Sequence, residues 1–398
     1  IPLITLIFSL IIFTVIKIIR RRELKEENQF SNKTNIPWGL LSVTLYSSIL
    51  YFGTLTFNQN EIILARMQLK LQKNDMIGLV EEGQKAKRPT KMIAAYYAIG
   101  LQQTNQILEH LFDIPFNYPE SRLDIKDGNE EYGVFLADCN FYSGLMNASY
   151  RCSMDQIVMH GPRLYYLKRM VACAVMLQEY DLANKYLNII EKTPFENEFV
   201  KKYRTLSENP EEIQNDPSLK SVIDLFPLEK RFEQNYRSPA FLGYNVGMTK
   251  GNNEALPASI AACLYSKDLP NAVERAAQLK IQNRNIPLAV QEAISIHGRK
   301  RPEVFKYFPE LSPNKQSVIS NGTSVVNSFI MSIQNYYQNK YNGDPIWRDK
   351  MILDLKGGVP EELRKTLEAD WLGHYVFYYY CENIKPKQEQ NKNMDGVN

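Results

Sequence analysis

An all-α fold is predicted, with N-terminal transmembrane helices followed by an irregular superhelix of helical hairpins. Three observations carry that expectation. Two long apolar stretches flank a basic loop within the first 57 residues. Downstream, apolar residues recur at three- and four-residue spacing, and the sustained alternation of a half-buried strand is scarce.

Residues 1 to 16 carry no charge before Lys17, and the chain begins at Ile1 without a methionine. No basic stretch precedes this apolar segment, as a secretory signal would need. Residues 1–19 therefore read as a transmembrane helix cut at its upstream end, with a signal anchor trimmed at its start as the alternative; the number of spans ahead of it is left open. The second span, 36–57, is 22 residues long, which at about 1.5 Å per residue crosses a hydrocarbon core of roughly 30 Å. Loop 20–35 and its approach hold Lys17, Arg20, Arg21, Arg22, Lys25 and Lys33. A short basic loop stays cytoplasmic under the positive-inside rule. Residues 58–398 are then presented on the periplasmic or extracytoplasmic side of a bacterial inner membrane, as an integral-membrane protein.

Charge bears on partners. Of the 47 basic and 44 acidic side chains, six basic and three acidic lie in the first 57 residues, leaving 41 of each sign in the exported part. A neutral domain lacks the basic footprint of a nucleic-acid binder, so polyanions are not expected partners.

The exported region reads as helix after helix. Helical periodicity runs through 61 to 73, 76 to 87, 90 to 112, 163 to 192, 256 to 281, 286 to 296 and 359 to 383. Pro, Asn, Asp and Gly mark loops at 114 to 130, 207 to 217, 235 to 254, 309 to 314 and 341 to 345. The last helix opens with Pro360, Glu361 and Glu362, a proline where no hydrogen bond is lost and carboxylates at the positive dipole end. The helical domain spans 58–384, and the polar stretch 385–398 is expected to be a disordered tail.

Chemistry-bearing motifs are scarce. His110, His160, His297 and His374 are far apart, and none stands in a metal-ligand spacing. Cys139, Cys152, Cys173, Cys263 and Cys381 form no C-x-x-C pair. They read as buried thiols, with a Cys139 to Cys152 bridge as the alternative. Gly243, Gly247 and Gly251 do not follow the phosphate-loop order, and Ser143-Gly144 is not a nucleophile elbow. No catalytic residue, metal, cofactor or small-molecule ligand is indicated.

The surface candidate lies on the helix beginning near 163. Arg163, Tyr165, Lys168 and Arg169 place cations and an aromatic at its start, where a helical array can present a binding face. Arg299-Lys300-Arg301 reads as a solvated turn. In the terminal aromatic run, Trp371, Tyr375 and Tyr378 follow i, i+4, i+7 and are expected in the core.

From Leu167 to Pro194 the residues Leu167, Met170, Val171 and Ala174, then Ala183, Leu187 and Ile190, resemble the large-and-small pattern of the tetratricopeptide repeat. Leu167 and Val171 stand where that family has its tryptophan and glycine. A second hairpin, with Cys263, Tyr265, Asp268-Leu269, Ala272, Ala276 and Leu279, is similar, and a third surrounds Asn74-Asp75-Met76. An aspartate before an apolar residue (Asp75-Met76, Asp181-Leu182, Asp268-Leu269) is expected to cap each second helix. The resemblance covers about half of the exported region. Spans followed by such helices also resemble uncharacterised bacterial integral-membrane proteins, and some membrane glycosyltransferases share that layout. Two functions are implied. One is a membrane-anchored scaffold that binds a protein or peptide. The other is an accessory C-terminal region of a polytopic enzyme, such as a lipid-linked sugar transferase, whose active site lies upstream.

Overall fold

The computed structural model describes Tyr46 and residues 59–116, 130–226, 255–313 and 321–382. Tyr46 apart, the expected spans at 1–19 and 36–57 and the loop between them lie outside the described residues, as does the tail 385–398. No helix among the described residues is long and apolar enough to cross a membrane. The chain divides into one unit at 1–57 and another at 58–398.

Every regular element among the described residues is helical, so the chain is all-α. The α-helices are α1 (Gln59–Gln72), α2 (Met76–Gln84), α3 (Lys91–Gln103), α4 (Ile107–His110), α5 (Glu130–Tyr142) and α6 (Met146–His160). They continue with α7 (Leu164–Met176), α8 (Tyr180–Ile190), α9 (Asn197–Glu208), α10 (Lys220–Ile223), α11 (Leu256–Tyr265) and α12 (Leu269–Ile281). The last are α13 (Leu288–Lys300), α14 (Gly322–Lys340), α15 (Trp347–Gly357), α16 (Glu361–Trp371) and α17 (Tyr375–Cys381).

Seven helices end in one backbone device. Asn74, Asn105, Gly144, Gln178, Lys267, Asn283 and Asn342 all have positive φ, between 50° and 77°. Each donates its N–H three residues back, and the following residue donates five back, as in Asn74 N to Leu71 O at 3.0 Å and Asp75 N to Lys70 O at 2.9 Å. This pair of bonds satisfies carbonyls that the helix end leaves open. Asparagine or glycine fills five of the seven positions because both tolerate the left-handed region. After four of the turns the next residue takes nearly the same conformation: Asp75 (−89°, 80°), Leu145 (−93°, 73°), Glu179 (−90°, 63°) and Asp268 (−84°, 72°). The hairpins α1–α2, α5–α6, α7–α8 and α11–α12 therefore share one connection, and consecutive helices pack as neighbours.

The capping expectation holds at two of three places. Asp75 accepts from Gly78 N at 2.9 Å, and Asp268 accepts from Asn271 N. Asp181 does not cap α8; Glu179 occupies that position and Asp181 lies in the first turn. Two expected single helices are also divided. The 90 to 112 stretch breaks at Asn105 into α3 and α4, and the 359 to 383 stretch breaks at Gly373, whose φ is +97°. In consequence Trp371 ends one helix while Tyr375 and Tyr378 sit, fully buried, on the next.

Helices α5, α6, α9, α10, α14 and α15 fall outside the periodic stretches. In α5 and α6 the reason is visible: Asp138, Asn140, Ser149, Ser153 and Gln156 are all buried. A polar inward face conceals the apolar stripe that marks a helix.

Small residues set the spacing. A Cβ on Gly100 of α3 would lie 2.7 Å from Val80 Cγ2 of α2, so these helices meet where no side chain intervenes. At the start of α14, a Cβ on Gly322 would stand 2.4 Å from the backbone carbon of Gln291 in α13. The core is continuous from Ile63 to Cys381. An aromatic cluster ties its last helix to the segment after α4: Phe112 packs on Tyr375 and Tyr378 with centroids 5.1 and 4.7 Å apart, and Phe116 packs on Tyr265 and Tyr378, both at 5.4 Å. Gly373 N also donates to Phe112 O at 3.1 Å.

Candidate functional site

The four residues singled out at the start of α7 occupy different environments. Arg163 is the N-cap, in extended backbone, and is exposed. Lys168 forms an ion pair with Glu196 and lies 5.1 Å from the centroid of Phe199. Tyr165 and Arg169, four residues apart on one helical face, both turn towards α5. There they meet Asp138, which is only 1% exposed.

Asp138 collects donors from two other helices. Its Oδ1 accepts from the Tyr165 hydroxyl and from Arg169 Nη2, the latter at 2.5 Å, and its Oδ2 accepts from Tyr96 OH of α3 at 2.8 Å. The guanidinium lies 4.1 Å from the centroid of Phe141 and 5.3 Å from that of Tyr142. Burial, reinforced by the Asp138 charge, pushes the Tyr96 and Tyr165 hydroxyls far above their ordinary range. Burial is the largest influence on Arg169 and works against its charge, but Asp138, Tyr165, Tyr142 and Cys173 together outweigh it and hold the guanidinium well above its usual value. The network of Tyr96, Asp138, Tyr165 and Arg169 joins α3, α5 and α7.

A second buried carboxylate does similar work downstream. Glu292 of α13 is completely buried, accepts from Val376 N at 2.8 Å and pairs with His374 Nδ1 at 2.8 Å. The carboxylate thereby satisfies an amide in the first turn of α17, a cap supplied by another helix. Its hydrogen bond to His374 holds that imidazole above its ordinary pKa. Nearby, Lys267 donates to the carbonyls of Tyr379 and Glu382 at 2.9 and 2.7 Å, and burial pushes its ammonium down to about 8.

These carboxylates escaped the sequence reading for the same reason. Asp138 lies 31 residues from Arg169, and Glu292 lies 82 from His374, so no local spacing links them. The positive charge of Arg169 four residues after Tyr165 was the available signal.

Among the described residues no three His, Cys, Asp or Glu side chains converge as metal ligands. None of the five cysteines forms a disulfide; Cys152 instead accepts weakly from Asn140 Nδ2 at 3.8 Å. Arg299, in the last turn of α13, donates to Asn327, so part of the 299 to 301 cluster supports packing onto α14. Gly243, Gly247 and Gly251 lie outside the described residues.

No curated protein and no solved structure matches this chain. The model of a family of unknown function, DUF6057, matches residues 1–382, spanning both the apolar N-terminal stretches and the hairpins, and the protein belongs to that family.

Proposed function

We propose that this protein is a membrane-anchored extracytoplasmic scaffold whose tetratricopeptide-like hairpins bind a protein or peptide partner. The observation that carries this reading is the shared hairpin connection. The turns at Gly144 and Gln178 are 34 residues apart, from 144 to 178, which is the tetratricopeptide period. The remaining turns depart from that period, giving an irregular array. The Asp138 and Glu292 carboxylates support a structural part for the buried charges, since internal donors satisfy both. Within the α7 segment, Tyr165 and Arg169 would hold the helix in place while Arg163 and Lys168 meet the partner. Anchoring rests on the two apolar stretches and the basic loop between them, with the helical unit exported to the periplasmic face of a bacterial inner membrane.

The test uses the full chain in its host membrane. A reporter active only outside the cytoplasm should work when fused after Asn398 and fail when inserted near Asn28; the reverse pattern would overturn the orientation. Site-specific photo-crosslinking from position 163 should then trap a partner that is lost when Lys168 is reversed to Glu. Crosslinks indifferent to that change would remove α7 as the contact. The second reading, an accessory region of a lipid-linked sugar transferase, is favoured by the shared layout of spans followed by hairpins. Transfer of sugar from a lipid-linked donor by membranes containing the purified protein would establish it.

A further inference from the structure

Facing stripes on α14 and α16 enclose an open groove of about 580 Å³. That volume falls within the range of roughly 300–1,000 Å³ common for small-ligand sites. Where two neighbouring helices face each other, apolar side chains are expected; here polar side chains are interleaved with the apolar surface of Tyr336, Leu367 and Trp371. Asn335 and Asn339 on α14 face Thr366 and Asp370 on α16, with Tyr336 and Trp371 as the aromatic members. The spacing of three to four residues on each helix brings every one of these positions onto the groove side.

The side chains of Asn335, Asn339 and Asp370 make no hydrogen bond to another described residue, and neither does the Trp371 indole N–H. Two amides, a carboxylate and an indole thus present unspent donors and acceptors to one space. The Trp371 ring is held in position from behind, edge-on to Phe329 at 5.2 Å and tilted against His374 at 5.5 Å. At one end Lys340 bridges to Glu362 at 3.3 Å and lies 5.6 Å from the centroid of Tyr336.

We infer that this groove binds a neutral oligosaccharide. Planar amide and carboxylate groups can each address two adjacent hydroxyls, and a fixed aromatic ring offers an apolar surface to the C–H face of a sugar. The charge balance excludes polyanions: the single cation, Lys340, is already paired with Glu362, and Asp370 leaves the lining with a net negative charge. A peptide is a poorer match, because the helical walls offer no open backbone edge and the groove has no deep apolar pocket for an anchoring side chain. The inference stands independently of the membrane anchor and of any protein partner on α7.

The test is calorimetric titration of the full chain, in detergent, with tetrasaccharides of β-1,4-glucose, α-1,4-glucose, β-1,4-N-acetylglucosamine and α-1,6-mannose. At least one should bind saturably. Replacing Asn335→Ala and Asp370→Ala together should weaken it tenfold or more, while the melting temperature stays unchanged because both side chains are exposed. Trp371→Ala should weaken it further, and Trp371→Phe should restore part of the loss by keeping a ring. Absence of saturable binding across the panel would overturn the inference. So would binding that survives the double replacement, or binding of a cationic peptide in place of every saccharide.

Discussion

Replacing Arg169 by Met gives the sharpest test of the buried network, because it removes the charge while keeping much of the side-chain volume. Asp138 would then remain 1% exposed, with the hydroxyls of Tyr96 and Tyr165 as its remaining donors. Breaking a buried ion pair by removing one partner costs about 3–5 kcal/mol, since the other charge is left uncompensated. Stacking against Phe141 and Tyr142 would be lost as well, and that places Arg169→Met towards the upper half of the range. The measurement is urea unfolding of the full chain at neutral pH, following helical circular dichroism. Arg163→Ala, on the same helix but exposed, should stay within about 0.5 kcal/mol of the parent. Combining Asp138→Asn with Arg169→Met should recover part of the loss, giving a coupling of roughly 2 kcal/mol between the two positions. If Arg169→Met costs no more than Arg163→Ala, or the two losses simply add, the pair does not fasten α5 to α7.

Three further outcomes are expected. Gly322→Ala should destabilise by about 1–3 kcal/mol in thermal unfolding, because its methyl would stand 2.4 Å from the backbone of Gln291 and 2.5 Å from Glu292 N. Ala183→Phe should cost a similar amount, about 1–3 kcal/mol, because Ala183 is completely buried. The exposed Lys185→Ala should shift stability by less than about 0.5 kcal/mol, and equal melting of these two α8 variants would misplace the hairpin. For His374, the folded pKa is raised by Glu292. The stabilisation it provides is therefore complete below the ordinary histidine range near 6.5 and is lost as pH rises through the raised folded value. Unfolding measured from pH 5 to 9 should show the parent losing its advantage over His374→Asn on the alkaline side; a constant difference would contradict the pairing.

How much was legible depends on where the side chains point. The α7–α8 hairpin could be read because Leu167, Met170, Val171, Ala174, Ala183, Leu187 and Ile190 are all buried, so the apolar pattern and the inward face coincide. The α5–α6 hairpin could not, although it shares the same turn, because Asp138, Ser149 and Ser153 occupy inward positions. Backbone conformation was equally hidden at Gly373, where a single positive φ separates α16 from α17 inside a stretch that is otherwise helical in pattern. At α7 the residue types were visible and their directions were not. Tyr165 and Arg169 resemble a surface patch in sequence, and only the distant Asp138 shows that they face inward. The α14 and α16 groove was invisible for the same reason, since it depends on two helices that the sequence does not bring together.

The contact of Phe112 and Phe116 with Tyr375 and Tyr378 changes how a chain of this kind comes apart. In an open stack of hairpins a terminal unit has one neighbour, so the ends fray first and unfolding spreads inward. Here the last described helix leans on the segment after α4 as well as on α13, which gives the terminus two independent attachments. Fraying from that end would have to break a core that also contains Tyr265 of α11. Proteolytic nicking near 373 would accordingly loosen distant hairpins as well as the final turn, and the helical unit should lose its structure in one cooperative step.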